Sequence, residues 1–181
     1  MDKATDGVYR VKEDDNASIT CRVDANPVAT EVEWKKDGNT AQSGEKLSIN
    51  KMKRAQAGSY VCQATNKRGV GEDDVTVDVL YKPSINLNAT YVFKEGDSAE
   101  VQCDVDANPE PFKTQWFKGG VPLSPLGPWL NFSSVSRDDG GTYSCVSTNS
   151  QEPTGSDKVH ESESSESTKV KIVIYSNLPL K

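Results

Sequence analysis

The sequence predicts an all-β protein. Three observations carry this. Apolar and polar residues alternate with a period of two. Turn-forming residues fall between the alternating runs. No window carries the 3.6-residue period of an amphipathic helix. In the first half Ile19, Cys21 and Val23 alternate with Thr20 and Arg22, followed by Val32 and Trp34, then Leu47 and Ile49, then Val75, Val77 and Val79. The second half gives Ala99, Val101, Cys103 and Val105, then Thr114 and Trp116, Leu130 and Phe132, and Val170, Ile172 and Ile174. Such alternation marks strands of antiparallel sheets with one face on a core and one in water. Asn26-Pro27, Asp37-Gly38, Gly119-Gly120 and Asp139-Gly140-Gly141 supply the turns.

The halves are copies of one another. Ala17-Ser-Ile-Thr-Cys-Arg-Val-Asp-Ala-Asn-Pro27 returns as Ala99-Glu-Val-Gln-Cys-Asp-Val-Asp-Ala-Asn-Pro109, an offset of 103 − 21 = 82 residues. Trp34 returns at the same offset as Trp116, and Tyr60 and Cys62 return at 83 as Tyr143 and Cys145. The four cysteines allow three pairings, and none lies in a CxxC pair of the kind zinc sites use. Each copy holds two, so the simplest pairing is Cys21–Cys62 and Cys103–Cys145. The domains are expected at 1–81 and 82–181.

Composition bounds the rest. Only 34% of the 181 residues are apolar, which suits two small domains better than one large core. No apolar run approaches the ~18–20 residues that span a bilayer. The segment from Met1 to Arg10 is polar and has no signal-peptide character. A net charge of −6 argues against nucleic-acid partners, which require clustered Lys and Arg. Residues 1–82 carry 13 basic and 14 acidic side chains, whereas residues 83–181 carry 8 and 13. The stretch Asn149–Thr168 alone supplies −4, from Glu152, Asp157, Glu161, Glu163 and Glu166 against Lys158.

Trp34 lies 13 residues after Cys21, Cys62 lies 28 after the Trp, and a Tyr stands two before the second Cys; the second copy spaces these 13 and 29. This pattern resembles the immunoglobulin domain, which implies two β-sandwiches in series, one for each copy. The resemblance implies that each disulfide joins opposite sheets across a core ~10 Å thick, with the indole packed over it. It also implies that Tyr60 and Tyr143 return their hydroxyls to upstream backbone. The second copy has the fuller family motif there, Asp139, Gly141, Tyr143, Cys145; the first has Gln56 where the family places Asp, which is expected to weaken that corner. The short Trp-to-Cys gap resembles the I-set or C2 type of cell-adhesion receptors. Val105-Asp-Ala-Asn-Pro-Glu-Pro111 and Val79-Leu-Tyr-Lys-Pro83 are similar to ectodomain repeats of nephrin and its invertebrate relatives.

The resemblance implies an extracellular fragment of a cell-surface adhesion or recognition receptor. Its partner would be another cell-surface protein, like or unlike itself, with no small-molecule substrate. Disulfide-dependent domains belong in an oxidising compartment, so the chain reads as a piece of an ectodomain whose membrane anchor lies elsewhere. Pro83 follows the first copy with no Gly/Ser linker, which implies a semi-rigid junction. Asn16-Ala-Ser, Asn88-Ala-Thr and Asn131-Phe-Ser are candidate N-glycosylation sites.

Catalytic readings lack an inventory. The single histidine, His160, sits in a Ser/Glu-rich stretch that offers no oriented partner, and Gly69 and Gly71 begin no complete phosphate loop. No cofactor or metal is expected: Asp104 and Asp106 with Glu95, or Asp73 with Asp74, lack calcium-loop spacing and read as surface carboxylates. Lys51, Lys53 and Arg54 form a small basic cluster that reads as a solvated face. The Asn149–Thr168 insertion is too poor in apolar residues to offset ordering, so it is expected as a mobile loop, with a partner-contacting tip as the alternative. Outward positions on one sheet of the second copy include Gln115, Phe117, Ser144, Val146, Lys171 and Val173. Of these, Phe117, Val146 and Val173 are the candidate contact patch. Two other readings remain: spacer repeats with no ligand, and a muscle-type intracellular array with free thiols.

Overall fold

The computed structural model describes residues 6–124 and 126–173. Ile174 and the tail Ser176–Lys181 therefore lie outside the described residues, as do Met1 to Thr5. By proximity the chain gathers into two units, residues 1–81 with 151–160, and residues 82–150 with 161–181.

The first unit contains β1 (Val8–Lys12), β2 (Ala17–Thr20), β3 (Glu31–Lys36), β4 (Asn39–Ser43), β5 (Lys46–Ile49) and β6 (Gly58–Asn66). It is followed by β7 (Gly69–Asn86), which continues past the boundary at Tyr81. One sheet runs β1-β7-β6-β3-β4, with β1 parallel to β7. The facing layer is the β2-β5 pair. Ile19, Leu47, Trp34, Tyr60 and Val75, Val77 and Val79 point inward from these layers and are buried, as the alternation requires. Cys21 and Cys62 bond across the gap, and Trp34 has no exposed surface. The Trp34 indole N–H donates to the Glu45 carbonyl at 3.2 Å, which satisfies its one polar atom.

The second unit contains β8 (Thr90–Lys94), β9 (Ala99–Gln102), β10 (Asp104–Asn108), β11 (Lys113–Lys118), β12 (Val121–Pro122), β13 (Trp129–Phe132), β14 (Gly141–Gln151) and β15 (His160–Val173), except Gln151 and His160, which fall in the first. Its larger sheet runs β12-β11-β14-β15-β8, again with a parallel pair, β15 with β8. The facing layer is β13-β9, and β10 pairs with β7. Cys103–Cys145 bridges the layers, and the buried Trp116 donates to the Pro128 carbonyl at 3.0 Å. The core here is more aromatic. Phe132 meets Tyr143 edge-on at 5.9 Å, and Phe93 and Tyr91 continue the series at 5.8 and 6.1 Å.

Two expectations are corrected. The Asn149–Thr168 stretch is largely strand: β14 continues to Gln151 and β15 begins at His160, so only residues 152–159 connect them. Apolar content does not capture the cause, which is polar. Neighbouring β14 and β15 satisfy each other's backbone. Ser164 Oγ donates to the Pro83 carbonyl and Thr168 Oγ1 to the Asn88 carbonyl, each at 2.6 Å. Ser147, Asn149, Gln151 and Thr168 are buried, and His160 opens a strand instead of sitting in a loop. The residues at the tip belong to the first unit, where Thr154 accepts from the Arg10 N–H at 2.7 Å and donates to its carbonyl at 2.9 Å. The second correction concerns Gln115, which keeps the outward face it shares with Val146 but is buried there. Its amide donates to the Trp116 carbonyl at 3.0 Å and to the Leu123 carbonyl, so the backbone takes up a side chain that sequence alone assigns to water.

Candidate binding surfaces

Two corners with the same plan fix the ends of β6 and β14. After each 3-10 turn, Arg54–Gln56 and Arg137–Asp139, a tyrosine hydroxyl donates back to the turn: Tyr60 to the Gln56 carbonyl at 2.9 Å, Tyr143 to that of Asp139 at 2.8 Å. Lys36 and Lys118 each place their ammonium 5.1 Å from the ring centroid of that tyrosine. Asp139 accepts from both the backbone N–H and the hydroxyl of Ser136, at 2.7 and 2.8 Å. The Gln56 side chain accepts from the Lys53 N–H, at 2.9 Å. The Ser136 N–H in particular, with its hydroxyl, holds the Asp139 carboxyl below its ordinary value.

A second repeated device was missed in the sequence. Asn66 donates to the Pro27 carbonyl at 2.7 Å, and Asn149 to that of Pro109 at 2.9 Å. Both stand four residues after the second cysteine of their copy, so their shared offset of 83 was a readable signal.

The outward face of the first unit's larger sheet is polar and internally bonded. Lys35 Nζ donates to Gln63 at 2.7 Å and lies 3.1 Å from Glu33, which also accepts from Thr40 at 2.6 Å. The Thr40 hydroxyl, then Lys35, lowers the Glu33 carboxyl. A shallow depression of about 480 Å³ on this face is lined by Lys35, Asp37, Val61, Gln63 and Glu72. A cleft of about 460 Å³ lies at the end of the same unit, between Cys21–Ala25 and the β6–β7 turn. The basic cluster is neutralised locally: Lys53 pairs with Asp14, and Arg54 pairs with Glu13 at 3.1 Å while stacking 3.7 Å from the centre of Tyr81. In the second unit Arg137 pairs with Glu95 at 3.2 Å. Asp104 and Asp106 are exposed on β10, and among the described residues no group of three or more His, Cys, Asp or Glu is arranged to hold a metal ion.

The corresponding face of the second unit carries the candidate patch. Phe117 lies opposite Ser144 and Val146 opposite Gln115, so the two half-buried side chains are diagonal neighbours on one face. Val173 does not join them. Thr148 Oγ1 donates to Glu163, which sets the residue facing Val146 near Ser165; Val173 is eight residues further on, roughly 26 Å along an extended strand. It lies instead opposite Lys94, beside the Val92–Lys171 pair. Sequence reading also missed Phe112, Val121, Leu126 and Trp129, all more exposed than Val173. A groove of about 250 Å³ beside Trp129 is lined by Trp116, Lys118, Leu123, Ser124, Asn131 and Tyr143, among others.

The three sequons are exposed. Asn16 precedes β2 and accepts from the Lys51 N–H at 3.0 Å, Asn88 lies between β7 and β8, and Asn131 projects from β13.

A model of the immunoglobulin domain matches residues 3–66 and 82–149. The chain is 30% identical over 145 residues to mouse Hemicentin-2, covering 71% of this chain and 3% of that protein. It is 30% identical over 146 residues to human Myelin-associated glycoprotein, covering 76% and 23%. It is 31% identical over 177 residues to the Caenorhabditis elegans Muscle M-line assembly protein unc-89, covering 77% and 2%. The chain thus spans under a quarter of each of these relatives. The two-domain crystal structure of DIP-gamma IG1+IG2 superposes with a TM-score of 0.71 at 20% identity, over 94% of both chains, and shares the fold. With a family match in each repeat, and a disulfide, buried tryptophan and tyrosine corner in each sandwich, the chain belongs to the immunoglobulin domain family.

Proposed function

We propose that this chain is an extracellular piece of a cell-surface adhesion or recognition protein, working through protein–protein binding and performing no bond chemistry. The observation that carries the reading is the consumption of all four cysteines in two inter-sheet bonds, an arrangement suited to an oxidising compartment. Membership of the immunoglobulin family supports a binding role, and the names glycoprotein and receptor among its relatives support the cell surface.

The proposed contact is the Phe117–Val146 face of the second unit, with another cell-surface protein, a like or unlike immunoglobulin receptor, as partner. The first unit's equivalent face spends its charges on itself, whereas this one presents apolar surface between strands whose backbone is already paired. Modest affinity per contact suffices when many copies face each other between membranes. The test is binding of the intact two-domain chain, in solution, to itself and to a panel of cell-surface ectodomains. Phe117→Glu and Val146→Glu are expected to abolish binding, with unchanged melting. Binding that survives both removes this face, and a chain that binds nothing in the panel favours the spacer reading.

A further inference from the structure

Trp129 is the only one of the three tryptophans outside a core. Trp34 and Trp116 are 0% and 1% exposed, whereas Trp129 is 44% exposed. It stands on β13, whose residues alternate strictly: Trp129 and Asn131 are exposed, Leu130 and Phe132 buried. Residues i and i+2 of a strand project from the same face, about 7 Å apart along it. Asn131 opens the sequon Asn131-Phe132-Ser133, and Ser133 is exposed.

We propose that Asn131 carries an N-linked glycan whose first N-acetylglucosamine lies against the Trp129 indole on the outward face of β13. The donor is a lipid pyrophosphate-linked oligosaccharide, supplied by the transferase of the secretory pathway. The Asn131 Nδ2 forms a bond to the anomeric carbon as the bond from that carbon to the pyrophosphate oxygen breaks. One amide proton passes to a base of the transferase, and the lipid pyrophosphate leaves with the electron pair. The C–H face of the pyranose is apolar and its hydrogens carry partial positive charge, which complements the negative face of the indole. The other two sequons lack this platform. The residues two positions before Asn16 and Asn88 are Asp14 and Asn86, neither aromatic.

The proposal rests on the extracellular reading but not on the Phe117–Val146 contact. It is tested on the whole chain secreted from insect or mammalian cells, with site occupancy read by glycopeptide mass spectrometry. The glycan is then trimmed enzymatically to one N-acetylglucosamine and its protons are observed by NMR. Asn131 is expected to be occupied, and its sugar protons to be shifted upfield by the indole ring current. The shift is expected to vanish in Trp129→Ala and persist in Trp129→Phe at reduced size. Complete removal of the sugar is expected to lower the second unit's melting point by about 4 °C in the parent and not in Trp129→Ala. Secreted, disulfide-bonded chain left unmodified at Asn131, or modified with unshifted sugar protons, overturns the proposal and leaves the extracellular reading standing. Failure of the cysteines to oxidise in the secreted chain overturns both.

Discussion

The two repeats differ most where their chemistry is least alike in sequence, at the hairpin that closes the larger sheet. In the first, β6 ends at Asn66 and β7 begins at Gly69. In the second, β14 and β15 extend to Gln151 and His160, and Ser147, Asn149 and Gln151 are buried along the way. The equivalents of the first two, Ala64 and Asn66, are only partly buried, and both line an open cleft of about 460 Å³. Polar side chains are buried along the longer hairpin, whereas the short turn of the first repeat borders an open cleft. The centres, by contrast, hardly differ: the cysteines are separated by 41 and 42 residues, and each bridge spans 6.3 Å between Cα atoms. The repeated core provides stability in common, and the strand ends and outward faces are free to diverge.

That equality gives the largest predicted effect. Replacing both cysteines of either repeat with alanine is expected to cost about 4 kcal/mol from loop entropy, in either repeat alike. Chemical denaturation of the two double variants checks it. A difference of more than about 1 kcal/mol between them would show that the strand ends, and not the shared core, set the stability of each unit.

The corners come next, and here the repeats should part. Asp139→Ala, which removes two hydrogen bonds at the turn, is expected to cost the second unit about 1–2 kcal/mol, and Gln56→Ala the first unit less than about 1 kcal/mol. Asp139 also titrates and Gln56 does not. Its folded pKa lies below the ordinary 3.8, so the unfolded chain binds the proton more tightly. The contribution is therefore complete above the unfolded value and is lost as pH falls through it toward the lower folded value. Stability of the second unit measured from pH 5 downward should fall less steeply in Asp139→Asn than in the parent. An unchanged acid slope would remove the carboxylate from the account.

The smallest effect concerns the paired arginines. Arg54 meets Glu13 and stacks on Tyr81, whereas Arg137 meets Glu95 with 69% of its side chain exposed. Solvent and salt screen the second pair. Arg54→Ala is expected to cost about 1 kcal/mol and Arg137→Ala about 0.3 kcal/mol, the former less sensitive to added salt. Equal losses would deny the Tyr81 contact its part.

The core was legible because burial and alternation are the same fact seen from two sides. Ile19, Trp34, Leu47, Val101, Trp116, Leu130 and Phe132 all face inward as their period demands. The 82-residue offset exposed the repeat, and the tyrosine corner followed from the family motif. Hidden from sequence was everything decided by polar pairing. Gln115 is buried because backbone carbonyls receive its amide. Residues 160–168 form strand because β14 and serine and threonine hydroxyls satisfy them. The separation of Val173 from Val146 depends on cross-strand register, which alternation alone leaves open. Trp129 was predictable as outward from Leu130 and Phe132, yet exposure of one residue carries no meaning until Asn131 stands beside it on the same face.

The central claim is an oxidised pair of sandwiches, each stapled within its own repeat. It is tested most directly by alkylating the unreduced, secreted chain and mapping its disulfide-linked peptides by mass spectrometry. The account predicts no alkylated cysteine and only two linked pairs, Cys21 with Cys62 and Cys103 with Cys145. Stoichiometric alkylation, or a linkage between the repeats, would contradict it.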